Sequence, residues 1–176
     1  VNNRPSWLIL GPGLLLVIAG IAFLAKGLYL NPHEIRSPLL EQQAPAFELP
    51  SLADGKSVRA SDLVGTPTVV NFWATWCESC PREHPLLVDL ARRYAGRVQF
   101  VGIAYNDKND RIQSWLERHG GATYPTLVDI NGKAAIAYGV YGVPETYVID
   151  AAGVIRHKHT GMINPQELAV QLEGLL

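Results

Sequence analysis

The stretch from residue 7 to residue 25 contains no charge and reads Leu, Ile, Val, Ala and Gly almost throughout. That is about the length a helix needs to cross a bilayer. A secretory signal would have a shorter apolar core and a small-x-small cleavage site; here the run continues to Lys26, and Ala22-Phe23-Leu24-Ala25 does not fit that pattern. The expectation is an uncleaved membrane anchor over residues 1–30, with the span at about 7–25. Arg4 and the terminal amine on one side face Lys26 and Arg36 on the other, which leans only slightly toward a cytoplasmic N-terminus. Residues 31–45 turn polar, with Pro32, Pro38 and Pro45, and sustain no hydrophobic period, so they read as a tether.

From residue 46 to 176 the pattern is that of one folded domain. Residues 47–49 and 57–59 read as a hairpin around Ala53-Asp54-Gly55-Lys56. An apolar strand at 68–73 leads through two cysteines into a helix reaching about Tyr94, with Leu86, Leu87, Leu90 and Ala91 as its inner stripe. A buried strand at 98–104 follows, then a helix at 111–119 with Ile112, Trp115 and Leu116 facing inward. Strands at 126–130, 145–149 and 154–159 come next, the last two joined by a turn at 150–153. Asn164-Pro165-Gln166-Glu167 opens a closing helix with a cap residue, Pro at the first position and Glu three after the cap.

The net charge of -1 offers no basic stripe for nucleic acid. The chemistry lies in the two cysteines, which stand three apart in Trp76-Cys77-Glu78-Ser79-Cys80. On a helix that spacing puts both thiols on one face, where they can close a small ring. So local a bridge stabilises little and suits a reversible switch. A cysteine at the start of a helix meets the positive end of its dipole, which favours thiolate, so Cys77 is the expected nucleophile and Cys80 the resolving thiol. A zinc site would need two further ligands, and only His157 and His159 stand as candidates; a strand with one polar face is the simpler reading of that pair. No metal or cofactor is called for.

The order of elements is that of an α/β thioredoxin-like fold with an N-terminal hairpin extension and a central insertion at about 120–139, preceded by one transmembrane helix. Phe72-Trp73-Ala74-Thr75-Trp76-Cys77, Cys80 and Glu83-His84 resemble the DsbE/CcmG family of membrane-anchored thioredoxin-like proteins of cytochrome c maturation. Gly139-Val140-Tyr141-Gly142-Val143-Pro144-Glu145-Thr146 is more diagnostic still, and Tyr105-Asn106-Asp107, Ser114-Trp115-Leu116, and His159-Thr160-Gly161 to Asn164-Pro165 extend the match over nearly the whole domain.

The resemblance implies a single-pass protein of the bacterial inner membrane with its catalytic domain in the periplasm. There it would reduce disulfides of apocytochrome c or of a haem-ligation dithiol protein, and receive electrons from a membrane reductant of DsbD or CcdA type. A redox-active Cys77–Cys80 disulfide, a cis Pro144 facing it, and acids Glu145 and Glu83 near the sulfurs are likewise implied. Trp76 is expected to shield the dithiol and to offer a partner an apolar platform. Glu78 departs from the Pro found at this place in many members. A carboxylate there opposes thiolate formation, destabilises the reduced form and favours electron donation. Two alternatives stand beside this reading: a ResA or TlpA type reductant of another haem or copper assembly pathway, and a metal or haem chaperone.

Overall fold

The chain separates into two compact units, Val1–Arg36 and Ser37–Leu176, of which the computed structural model describes residues 7–29 and 38–176. In the first unit α1 runs Trp7–Tyr29, so the expected span is helical from end to end. Among the described residues no helix is long and apolar enough to cross a membrane, so the expected transmembrane span finds no support beyond its helical conformation.

The expected tether at 31–45 lies outside the described residues as far as Ser37. Its far end is not free chain. The Glu41 N–H donates to the Ile155 carbonyl and the Ile155 N–H to that of Gln42, each at 2.9 Å, and the Ala44 N–H donates to Gly153 at 2.8 Å. Arg156 joins Glu41 to Asp150 by ion pairs. The folded unit thus begins ahead of residue 46, held by backbone pairing that polar composition does not reveal.

In the second unit β1 (Glu48–Pro50) and β2 (Ser57–Arg59) form the expected hairpin. The main sheet has five strands: β3 (Thr68–Trp73), β4 (Gln99–Tyr105), β5 (Thr126–Asp129), β6 (Glu145–Ile149) and β7 (Ile155–Thr160). They lie in the order β5-β4-β3-β6-β7, with β3, β4 and β5 parallel and β6 and β7 antiparallel. Four helices complete the unit: α2 (Cys80–Arg93), α3 (Asn109–Arg118), α4 (Lys133–Ala137) and α5 (Pro165–Glu173). The central insertion adds β5 as an edge strand together with α4. The segment 129–132, which reads as a plain turn, is the device that starts α4: Gly132 takes φ 67°, and the buried Asp129 carboxylate accepts the Ala135 N–H at 2.9 Å.

Strand alternation divides the core. Val70, Phe72, Val101, Ile103, Tyr147 and Ile149 face Phe47, Leu49, Ala134, Ala135 and Tyr138. On the other face Val69, Phe100 and Val148 meet Leu87, Leu90 and Tyr94 of the α2 segment and Leu168 and Leu172 of α5. At the upper end of that face, Trp73, Ala104 and Val128 pack with Ile112 and Trp115 of α3 and with both cysteines. The end of β3 therefore delivers the chain directly into the dithiol.

Candidate active site

Cys77 and Cys80 are joined in a disulfide with their Cα atoms 5.5 Å apart. Both are nearly enclosed, Cys77 6% exposed and Cys80 2%. The helix starts later than the spacing suggests: α2 begins at Cys80, and Cys77 lies in the bend before it. Pro81 fixes that start, since a missing N–H costs nothing in the first turn. The orphan N–H of Cys80 donates to Cys77 Sγ at 3.1 Å, and the Ser79 hydroxyl lies 3.7 Å from the same sulfur. Ser79, the cap residue, makes no side-chain capping bond; the Cys77 sulfur takes one of the unpaired N–H groups instead. The nucleophile thus sits at the helix N-terminus as an acceptor, although it is not part of the helix.

The loop carrying it is fixed from two sides. Trp73 is buried and stacks at a tilt on Trp115, with centroids 4.6 Å apart. Close packing there needs Gly102, where an added Cβ would lie 3.0 Å from Trp73 Nε1. The Thr75 N–H donates to Asp107 Oδ2 at 2.7 Å and the Lys108 N–H to Asp107 Oδ1 at 2.9 Å. One buried carboxylate thereby ties the dithiol loop to the start of α3. Trp76, next to Cys77 in the chain, is 55% exposed, its ring edge-on to Tyr105 at 6.1 Å.

The Val143–Pro144 peptide is cis, and the Val143 carbonyl oxygen lies 3.6 Å from Cys77 Sγ. The three acids expected near the dithiol do not cluster. Glu78 is exposed and makes no hydrogen bond or ion pair. Glu83, for which a solvent-facing position competes with an active-site one in the sequence, is 1% exposed and shares a small buried pocket with Cys80, Asn71, Trp73 and Trp115. Its carboxylate accepts from the Asn71 side-chain amide at 3.1 Å and the Ile163 N–H at 2.9 Å, while the same amide donates to the Thr146 hydroxyl at 2.9 Å. Burial holds the Glu83 carboxyl above the usual carboxylate range, against these two hydrogen bonds.

Glu145 is fully buried but turned away from Glu83. Thr146 faces Asn71 and Glu83, so its neighbour projects to the opposite face. There Glu145 pairs with Lys158 at 2.9 Å and accepts from the Tyr147 hydroxyl at 2.9 Å and the Tyr141 N–H at 3.3 Å. The expectation of a carboxylate aimed at the sulfurs gives way to strand register: the Glu145 carboxylate is engaged instead by a cation, a phenol and a backbone amide.

His84 is structural, as read: buried, with Nε2 2.8 Å from the Gly121 carbonyl and its ring edge-on to Trp115. His159 bonds Gln171 at 2.7 Å. Among the described residues no group of three or more His, Cys, Asp or Glu side chains is placed to hold a metal ion. Asn71 and Lys158 are the residues that sequence reasoning passes over, and Asp107 and Thr146 enter it only as motif matches, without the contacts they make here. One sign of Glu83 was available: it falls in the stripe Cys80, Glu83, Leu87, Leu90 that the helix buries.

A family model described as the AhpC/TSA family matches residues 40–158. The chain is 39% identical over 177 residues to the thiol:disulfide interchange protein DsbE of Allochromatium vinosum, covering 100% of this chain and 96% of that one. With DsbE of Pseudomonas aeruginosa it shares 40% over 169 residues, 96% of this chain and 91% of the relative. A solved structure, a putative DsbE from Chlorobium tepidum, superposes with a TM-score of 0.67 at 28% identity over 76% of this chain and 93% of that one. An enclosed dithiol facing a cis-proline on a thioredoxin-like frame agrees with these likenesses: the chain belongs to the AhpC/TSA family and, within it, to the DsbE thiol:disulfide interchange proteins, and is a thiol-disulfide oxidoreductase.

Proposed function

We propose that the protein works as an extracytoplasmic reductant in cytochrome c biogenesis, giving electrons to a disulfide of apocytochrome c or of a haem-ligation dithiol protein. The observation that carries this reading is the stretch 139–146, whose cis-proline peptide lies against Cys77, in a chain that matches a DsbE protein over 96% of that protein's length.

In the reduced protein the Cys77 thiolate attacks one sulfur of the partner disulfide and expels the other as thiolate. The mixed disulfide is opened by Cys80, which gives its proton to the buried Glu83 carboxylate, attacks Cys77 Sγ and releases the second partner thiolate. Two electrons pass from the Cys77–Cys80 dithiol to the partner, which leaves with two thiols, and the protein is left in the disulfide form. A membrane dithiol of DsbD or CcdA type then reverses the steps. Trp76 shields the sulfurs, and the backbone beside Pro144 receives the partner's extended chain. Glu78 adds a small bias in the same sense: its charge beside Cys77 disfavours the thiolate and hence the reduced state. Its exposure limits the effect, so Glu78→Gln is expected to raise the potential by no more than ~20 mV.

Localisation follows the same reading. The uncharged sequence 7–25, within the 23-residue helix α1, supports a single-pass inner-membrane anchor over 1–30, a tether following it, and the catalytic domain in the periplasm. Tethering raises the effective concentration of a weakly bound partner.

The test is trapping. Cys80→Ala freezes the mixed disulfide at Cys77, and mass spectrometry of the adduct is expected to return a cytochrome c maturation component. Recovery of copper-assembly proteins alone would favour the ResA or TlpA type role. Equilibration with glutathione that gives a potential near −120 mV, the range of a strong oxidant, would overturn the assignment as a reductant.

A further inference from the structure

The geometry points to Lys158 as a positioning residue for partner binding: its ammonium clamps the loop 139–144 so that Val143 stands in place beside the dithiol and Tyr141 is held facing outward. The side chain is 10% exposed and meets four groups of that loop and its support. Nζ lies 2.9 Å from Glu145 Oε2 and donates to the Gly139 carbonyl at 3.2 Å. It also sits 5.2 Å from the ring centroids of both Tyr141 and Tyr147. The two ends of the loop are therefore held by one cation, Gly139 at the start and Glu145 just past cis-Pro144.

The middle of the loop is held by the same pair. Tyr141 is engaged through its ring by the cation and through its N–H by Glu145 Oε1 at 3.3 Å. Its ring nevertheless stays 74% exposed, so the contact fixes an outward-facing aromatic rather than burying one. Behind the pair, the Tyr147 hydroxyl shares its hydrogen between Glu145 Oε2 at 2.9 Å and the Tyr138 carbonyl at 2.7 Å. Removing the ammonium leaves Glu145, 0% exposed, without its counter-charge. A buried carboxylate left unpaired draws in water or rearranges, which loosens the loop. Lysine suits the task because three rotatable donors on a compact head can serve a carboxylate, a carbonyl and two ring faces at once.

This inference rests on the reading that a partner's chain lies along the cis-proline loop, and the experiment separates the two. The full chain and its Lys158→Gln and Lys158→Arg variants are assayed for reduction of hydroxyethyl disulfide, which is small and neutral, and of a disulfide-closed Cys-x-x-Cys-His peptide. For Lys158→Gln the ratio of peptide kcat/KM to hydroxyethyl disulfide rate is expected to fall about tenfold, chiefly through KM, as misplacement of a binding element does. Lys158→Arg is expected to restore at least half of that loss. Tyr141→Ala, a surface change, is expected to lower the same ratio and keeps the test available if Lys158→Gln folds poorly. Equal loss on both substrates, or an unchanged ratio in both Lys158→Gln and Tyr141→Ala, would overturn the clamp while leaving the functional reading intact. Unaltered protein that reduces hydroxyethyl disulfide but not the peptide would overturn the functional reading, and the clamp with it.

Discussion

The backbone N–H of Cys80 points at Cys77 Sγ from 3.1 Å in the disulfide form, a position from which the resolving residue's own amide would stabilise charge on the nucleophile once the bond is reduced. Cys77 holds that position from outside the helix, as the acceptor for a donor the first turn cannot otherwise satisfy. After reduction, Cys77 is expected to react with iodoacetamide at neutral pH at least about tenfold faster than Cys80, which lies deeper and has no such donor. Peptide mapping of partially alkylated protein measures the ratio, and equal labelling would contradict the assignment of roles.

Glu83 combines enclosure, a raised carboxyl and a pocket shared with Cys80. Glu83→Gln is expected to slow escape from the mixed disulfide by about 10–100-fold near neutral pH, the scale of positioned proton transfer. The deficit should narrow in alkali, where Cys80 ionises without help. Stability moves the other way. A carboxyl raised on folding binds its proton more tightly in the native state, so its ionisation costs stability as pH rises from the usual value of 4.5 through the folded one, and the full cost is present above both. The urea midpoint at pH 8 minus that at pH 4 should therefore be more positive for Glu83→Gln than for the unaltered protein.

Asp107 is expected to matter to both fold and rate. Replacing it by Ala strands the Thr75 and Lys108 amides in a partly buried setting, at about 1–3 kcal/mol of stability. Because Thr75 lies two residues before Cys77, exchange should also slow at a denaturant concentration far below the unfolding midpoint. Urea titration and single-turnover exchange with a peptide disulfide report the two effects separately.

These side chains mark the boundary of what the sequence discloses. The strands were legible because their apolar runs are long, and α5 because Asn164, Pro165 and Glu167 spell out its start; Asn164 Oδ1 indeed accepts from the Gln166 and Glu167 amides. Helix α4 was not, since five residues are too few to show a period and its start depends on Asp129. The start of α2 was signalled by Pro81, but the cysteine spacing suggested a helix one turn earlier. Registers decided the acids: only knowing that Glu145 sits opposite Phe72 tells which face it takes. Lys158 is distant in sequence from the groups it holds, as Asp107 is from Thr75, so their contacts are not legible locally.

His84 gives the domain an acid sensitivity. Burial holds its imidazole below the usual 6.5, and the neutral ring can donate through Nε2 to the Gly121 carbonyl. The unfolded chain then binds the extra proton more readily, so this contribution to stability is full above about 6.5 and is lost as pH falls toward the lowered folded value. His157, also lowered by burial, acts in the same sense. Urea midpoints should decline from pH 7.5 to pH 5, and His84→Gln should flatten part of that decline.

The pairing of residues 41–44 with the start of β7 bears on how the molecule behaves in a crowd. β7 is the last strand of its sheet, and an open terminal strand is a template on which other chains can stack. Here the first residues of that template are already occupied by the protein's own leading segment, and Arg156 adds a cation beside them. Many copies held side by side would otherwise meet edge to edge. The segment that leads into the domain also acts as a stopper against self-association.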